Sequence, residues 1–118
     1  MLSRSQRLAF AGLLLGSCSP AHEDSGPPDG AALFKAQNCV QCHAPDGSGT
    51  NLGPTLQGKQ MFWTREKLAT YIAKPAATIA GDERLRLQAA KYSLPMVDYP
   101  YLTQEQRLAL ADFVLALP

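Results

Sequence analysis

The sequence lacks several features, and each absence excludes a class of protein. No run approaches the about 18 consecutive apolar residues that a membrane-spanning helix needs. The formal net charge is only +1, so the chain has no basic excess for binding nucleic acid. Its three cysteines are an odd number, which excludes a framework that pairs all of them within the chain. No segment alternates apolar and polar residues as strands do, which favours a helical fold. A length of 118 residues predicts a single domain.

The first 17 residues have the composition of a secretory signal and not of a folded element. Two arginines supply positive charge, and a short apolar stretch follows over residues 8–15. Small residues then precede Cys18, an order similar to the bacterial lipobox, in which the cysteine is acylated. We therefore predict a lipoprotein signal peptide over residues 1–17 and a lipid anchor on Cys18. An ordinary signal peptide that is cleaved nearby is the alternative.

Residues 18–28 are polar and rich in proline and glycine. They predict a flexible tether between the acylated Cys18 and a folded domain over residues 29–118. His22 lies inside this tether, where we expect a solvated side chain and not a metal ligand. The expected location is the periplasmic side of a bacterial membrane, with the protein exported and held there through its lipid.

The most informative motif is Cys39-Val40-Gln41-Cys42-His43. A thioredoxin-like dithiol would follow a strand, and no β-rich run precedes Cys39. A structural zinc site needs four ligands, and the chain has no second C-x-x-C or H-x-x-H pair. A structural disulfide suits the spacing but gives no reason for His43. C-x-x-C-H is the attachment signature of c-type haem, because thiols one helical turn apart can add to its two vinyl groups. We predict that Cys39 and Cys42 hold one covalent haem c and that His43 is an axial ligand of its iron.

With this motif and its flanks, the chain resembles the class I c-type cytochromes from about residue 30 to residue 117. Gly30 and Phe34 precede the cysteines at the spacing of the family's first helix, and residues 53–56 match its Gly-Pro-x-Leu loop. The resemblance implies a small all-α fold of three to four short helices around the haem. It implies that the first and last helices cross, with Phe34 against Phe113. It also implies that the Pro54 carbonyl accepts a hydrogen bond from the His43 ring.

The sixth iron ligand is predicted from the same resemblance. Met96 precedes the last helix in a proline-containing loop, where the family places its axial methionine. The family usually has proline directly after that methionine, and here Val97 follows. Met61, in an apolar patch, is interpreted as a core residue, and a core-filling Met96 is the alternative to ligation. A thioether opposite an imidazole raises the iron's potential and leaves no coordination site open, which suits electron transfer.

Capping residues predict where the helices begin. Asp29 begins a first helix that runs to about residue 38, and Thr64 begins a second that ends before Pro75. Residues 82–91 allow a third helix, opened by Asp82 and Glu83. Thr103 begins the last one.

Two further groups of residues have less specific interpretations. Trp63, Tyr71 and Tyr92 suit either packing on the haem and hydrogen bonding to its propionates, or ordinary core packing. Residues 59–91 contain seven basic and three acidic residues. This basic segment would steer acidic partners if it surrounded the haem edge, and is otherwise a solvated face.

The predicted function is transfer of single electrons at the outer side of the bacterial cytoplasmic membrane by a monohaem lipoprotein. No substrate is transformed, so an enzyme is not expected. The alternative is a haem subunit fixed within a larger oxidoreductase or terminal oxidase. A haem-based gas sensor is a third class, and it would need a weak or absent sixth ligand. The expected partners are redox proteins and the membrane, without nucleic acid, and the chain would be a monomer or a subunit of a respiratory complex.

Overall fold

A computed structural model describes Gly16 and residues 26–118 of the chain. That part is all-helical and contains no strand, which confirms the predicted fold class. One turn of 3₁₀ helix, Lys59–Met61, lies between the second and third of six short α-helices. The α-helices are α1 Gly30–Ala36, α2 Val40–His43, α3 Arg65–Ala73, α4 Pro75–Ala80, α5 Glu83–Ala89 and α6 Gln104–Leu115. The predicted signal peptide, the anchor residue Cys18 and His22 lie outside the described residues.

Four helices begin where a side chain accepts hydrogen bonds from free backbone N–H groups of the first turn. Asp29 accepts from the amides of Ala31 and Ala32 at the start of α1. The other three predicted caps also accept from a first-turn amide: Thr64 at α3, Asp82 at α5 and Thr103 at α6. At α6 the Gln106 side chain returns the bond to the Thr103 amide, completing a capping box.

The segment between the second predicted helix and residue 82 differs from the prediction in one respect. Helix α3 ends at Ala73, before Pro75, as expected. Pro75 then occupies the first turn of a further helix, α4. Proline is accepted there because its missing N–H would have no partner in the first turn of any helix. The same residue therefore ends one helix and begins another.

The interpretation of Met61 as a core residue is wrong. Met61 ends the 3₁₀ turn, and 83% of its surface is exposed. The neighbouring Phe62 is 59% exposed, and Trp63 alone of this patch packs against the core. A run of apolar residues in a short turn distributes its side chains around the turn, so its composition does not tell which of them point inwards.

The first and last helices pack closely because α1 begins with a residue that has no side chain. A Cβ atom on Gly30 would lie 2.2 Å from the carbonyl oxygen of Ala109 in α6, far inside van der Waals contact. The rings of Phe34 and Phe113 lie beside this point with centroids 5.1 Å apart. Phe34 is 2% exposed, and burying a side chain of this size contributes about 1.5–3 kcal/mol. The predicted contact between Phe34 and Phe113 is confirmed.

The rest of the core joins α3 and α6 beneath the loop that precedes α6. The buried members of this cluster are Phe34, Leu68, Ala69, Ile72, Tyr99, Leu102, Leu110, Ala111 and Val114. On the surface, Arg65 of α3 donates to both carboxylate oxygens of Asp112 in α6, at 2.8 and 2.9 Å. Within the described residues, no helix combines the length and the apolar character that a membrane crossing requires.

Candidate cofactor site

The C-x-x-C-H motif forms a short helix of its own. Cys39 precedes α2, and the amides of Cys42 and His43 donate to its carbonyl oxygen at 3.3 and 3.0 Å. Both thiols are free, so the disulfide that the spacing allowed is not formed here. Burial raises the pKa of Cys39 to about 11, which keeps it a neutral thiol. Two thiols one turn apart are therefore presented from a single rigid turn.

Left-handed residues stand on either side of this turn. Asn38 has φ +62° and Ala44 has φ +66°. Asparagine adopts this region readily, whereas Ala44, with ψ +157°, occupies one that is normally left to glycine. Ala44 is held there by hydrogen bonds from its own amide to the Val40 carbonyl and from the Gly47 amide to its carbonyl. The chain thus bends sharply just after His43, which turns the following loop back over the motif.

The ring of His43 is fixed by that loop. Its Nδ1 lies 2.8 Å from the carbonyl oxygen of Pro54, which is the contact that the resemblance implies. A carbonyl oxygen can only accept, so Nδ1 carries the hydrogen and the neutral ring has its lone pair on Nε2. Burial lowers the pKa of His43 and outweighs this hydrogen bond, with a smaller contribution from the charge of Lys59. The imidazole, 8% exposed, is therefore held neutral in one tautomer with Nε2 free to bind a metal.

We refer to residues 39–56 as the proximal segment. Its loop is hydrogen-bonded directly to the motif: the Gly49 amide donates to the His43 carbonyl at 2.9 Å, and Thr50 Oγ1 donates to the Cys42 carbonyl at 2.7 Å. The Leu56 amide closes the loop on the Gly47 carbonyl at 2.7 Å. A Cβ atom on Gly53 would lie 3.0 Å from the Cys42 carbonyl oxygen, so glycine permits this close approach.

We refer to residues 93–103, between α5 and α6, as the distal segment. Met96 in this segment is half-buried and packs against the core cluster. Pro95 precedes it and Pro100 follows the buried Tyr99. Because both prolines have fixed φ angles, they stiffen a segment that has no regular structure.

One cavity of about 870 Å³ lies between the two segments. The cavity is mostly apolar, and Cys39, Cys42, His43 and Met96 all lie in its wall. Its size is within the range of about 300–1,000 Å³ for small-molecule and cofactor sites. The sequence motifs are therefore brought together around a single space that has free thiols, an imidazole and a thioether in its wall. This donor set fits a haem c.

The three aromatic residues singled out in the sequence also line this cavity. Trp63 and Tyr71 form an edge-to-face pair with ring centroids 5.2 Å apart, and burial raises the pKa of Tyr71. Tyr92 lines the cavity without an aromatic partner among the described residues. Whether they pack on the haem or bind its propionates stays a prediction.

The basic segment is divided by the fold. Lys59 and Arg86 line the cavity, and burial, with the nearby charge of Arg84, lowers the pKa of Lys59. Arg65 and Lys67 instead form ion pairs with Asp112 and Asp82 on the surface. A basic ring around the haem edge therefore stays a prediction.

Sequence reasoning missed one prominent member of the cavity wall, Tyr99. It is 9% exposed, lies in the core cluster and lines the cavity three residues after Met96. Its signal in the sequence is an aromatic residue inside a proline-containing loop, where a large side chain needs a place to be buried. The residue to which its hydroxyl donates, Gln37, is 62 residues away in the sequence, so the loop sequence alone does not identify that partner.

A family profile described as cytochrome c matches residues 28–118. The chain belongs to the cytochrome c family. Members of this family carry covalently bound haem c and transfer electrons, so the predictions of a monohaem c-type cytochrome and of its cofactor are confirmed.

Curated relatives are similar over parts of this cytochrome. It is 35% identical over 72 residues to cytochrome c type-1 of Ascaris suum, which covers 44% of this chain and 63% of the relative. It is 33% identical over 72 residues to cytochrome c 2.1 of Caenorhabditis briggsae, with the same coverage. It is 30% identical over 93 residues to cytochrome c oxidase subunit 2 of Alkalihalophilus pseudofirmus, covering 75% of this chain and 25% of that subunit. The chain thus spans less than two thirds of these relatives' lengths. No solved structure gave a significant match to it.

Proposed function

We propose that this cytochrome carries single electrons on a haem c whose iron is held between His43 and Met96. The observation that supports the proposal is the convergence of Cys39, Cys42, His43 and Met96 on one cavity. When bound, the haem supplies an iron that alternates between its ferric and ferrous states. The two thiols would hold the porphyrin through covalent bonds, and the two axial side chains would fill both remaining positions of the iron.

The protein's contribution to this function is preorganisation. His43 is already neutral and oriented, because Pro54 accepts from its Nδ1 at 2.8 Å and burial disfavours its protonation. The largely apolar wall keeps water away from the metal, which is one of the means by which proteins set a redox potential. With a thioether in the sixth position, no site is left for oxygen or another gas, so the chain's residues favour electron transfer over sensing.

Optical spectra of the purified protein test this proposal. The ferric protein should show a weak band at ~700 nm that arises from thioether ligation. Met96→Ala should abolish the band. Met61→Ala should leave it unchanged, because Met61 is 83% exposed, and this makes it a matched control. A wild-type protein without the band whose reduced form binds CO strongly would contradict His43 and Met96 ligation and favour the gas sensor.

We further propose that the protein is exported and anchored to a membrane through an acylated Cys18. The support is the signal-like order of residues 1–17 before this cysteine, and more than one acyl chain on it would give firm attachment. Cys18→Ala should move the protein from the membrane pellet to the soluble fraction of the exported material. Unchanged pelleting of the variant would contradict a lipid anchor at this position.

A second candidate is a haem subunit fixed within a larger oxidoreductase. It is favoured by the similarity to cytochrome c oxidase subunit 2, which extends over 75% of this chain. Extraction in mild detergent separates the two candidates. A stable stoichiometric complex would favour the fixed subunit, whereas recovery of the protein alone would favour the free carrier.

A further inference from the structure

The part of the distal segment that carries Met96 is held at its two ends but not along its length. Among residues 26–118, no hydrogen bond is formed by residues 93–98. The preceding anchor is the Tyr92 amide, just after α5, which donates to the carbonyl of Ala89, the last residue of that helix, at 3.1 Å. The next anchor is Tyr99. The position of Met96 therefore depends on its half-buried side chain and on Tyr99.

Tyr99 is bound at both its backbone and its side chain. Its amide donates to the carbonyl oxygens of Ile72 and Ala73, at 3.3 and 3.2 Å, at the end of α3. Its hydroxyl donates to the carbonyl oxygen of Gln37 at 3.1 Å. Burial raises the pKa of Tyr99 to about 12, so the hydroxyl keeps the proton that it donates. One side chain thus spans from the distal segment to the end of α1.

The position of the Gln37 carbonyl links Tyr99 to the C-x-x-C-H motif. Gln37 is the C-cap of α1 and lies two residues before Cys39. On the other side, Tyr99 is the third residue after Met96, a chain length of at most about 10 Å. The hydroxyl therefore ties the segment that carries the predicted sixth ligand to the segment that carries the first thiol, across one wall of the cavity.

We propose that Tyr99 is a positioning residue for Met96, and that its hydrogen bond to Gln37 keeps the thioether in place on the iron. The proposal rests on the proposed His43 and Met96 ligation. It concerns an equilibrium between a closed distal segment, with Met96 bound, and an open one, with Met96 displaced. Because the bond to Gln37 forms only in the closed state, losing it raises the population of the open state.

The test is Tyr99→Phe in the full-length holoprotein, which removes the hydroxyl and keeps the ring. The probe is imidazole, which binds the ferric iron only where Met96 has left, so its apparent affinity follows the open fraction. A hydrogen bond of ordinary net strength, about 1 kcal/mol, corresponds to roughly fivefold tighter imidazole binding by the variant. The Tyr99 amide should also exchange its hydrogen roughly fivefold faster, since it is released by the same opening.

Two variants serve as controls. Thr64→Ala removes the cap that accepts from the Lys67 amide at 3.1 Å. It lowers global stability by a similar amount, but it lies outside the distal segment and should leave imidazole affinity unchanged. Tyr101→Phe removes a hydroxyl that donates to the side-chain oxygen of Gln37 at 2.7 Å. It should have little effect because Tyr101 is 67% exposed, so water can replace the lost bond.

The outcomes separate the two proposals. If the wild-type ferric protein has the band at ~700 nm and Tyr99→Phe binds imidazole as weakly as the wild type, Tyr99 does not position Met96. The same conclusion follows if Thr64→Ala or Tyr101→Phe tightens imidazole binding equally. If the wild type lacks the band and Met96→Ala changes nothing, the ligation itself is wrong and the role of Tyr99 is lost with it. A tightening confined to Tyr99→Phe supports the proposal.

Discussion

The proximal and distal segments face each other across one cavity, but they are built differently. The proximal segment is hydrogen-bonded to the motif from several directions, through Gly49, Thr50 and Pro54. In the distal segment, residues 93–98 form no hydrogen bond with the described part of the chain, and Tyr99 provides the first anchor after Met96. The wall that presents the two thiols is thus rigid, and the wall that presents Met96, the proposed sixth ligand, is restrained at few points.

The difference follows from the local sequence. Glycines allow the proximal backbone to fold tightly over α2, where left-handed turns are required at Gly47 and Gly49. The distal segment instead has Pro95 and Pro100, which donate no backbone hydrogen bond but restrict the unfolded chain. The proximal segment is ordered by hydrogen bonds. The distal segment is ordered in part because its prolines lower the entropy of the unfolded chain.

The largest effect is expected from breaking the proximal segment at Gly49. This residue has φ +89°, and a Cβ atom would lie 2.6 Å from the Thr55 amide nitrogen. Gly49→Ala combines a left-handed alanine with overpacking, so we expect the free energy of unfolding to fall by roughly 2–5 kcal/mol. Guanidinium unfolding of the holoprotein measures the loss.

Gly58→Ala is the matched control for this variant. Gly58 has φ +70°, but nothing lies within 4 Å of where its Cβ would be. It should lose only the conformational part, roughly 1–2 kcal/mol. Equal losses in the two variants would show that the close packing of the proximal segment does not contribute to stability.

A smaller effect is expected from Thr50→Val, in the same segment. Thr50 Oγ1 donates to the Cys42 carbonyl at 2.7 Å and accepts from the Leu52 amide at 3.0 Å. Losing both bonds should lower the free energy of unfolding by roughly 1–2 kcal/mol. Imidazole affinity of the ferric protein should not change, because Met96 is on the other wall. Tighter imidazole binding by this variant would show that the two segments open together.

Thr70→Val provides the control for the loss of a threonine hydroxyl. Thr70 Oγ1 donates to the Glu66 carbonyl at 3.0 Å, within α3. Such a bond to the preceding turn adds little to helix stability, so we expect almost no change in unfolding. A loss as large as that of Thr50→Val would mean that the proximal hydroxyl has no special role.

The sequence was sufficient for the features that are encoded locally. The caps at Asp29, Thr64, Asp82 and Thr103 were predictable because each acts on amides within three residues of itself. The motif at residues 39–43 was predictable for the same reason, since its chemistry depends on spacing within one turn.

Features that depend on distant contacts were not predictable. The core interpretation of Met61 was wrong because the direction of a side chain in a short turn is set by the surrounding fold. Tyr99 was missed because the partner of its hydroxyl, Gln37, lies 62 residues earlier in the sequence. Pro75 was taken only as the end of a helix, although a proline that stops one helix is equally suited to begin the next.

The contact of Gly30 with Ala109 has a consequence for the order in which the domain folds. It joins the first helix of the described domain to the last one, so it cannot form until nearly all of the domain has been synthesised. Contacts between residues so far apart slow folding more than they reduce final stability. During that delay Phe34 has no Phe113 to pack against, and the chain around Cys39 and Cys42 is still open. The thiols, half-buried in the folded domain, should therefore be most accessible for the proposed covalent attachment before the two helices meet.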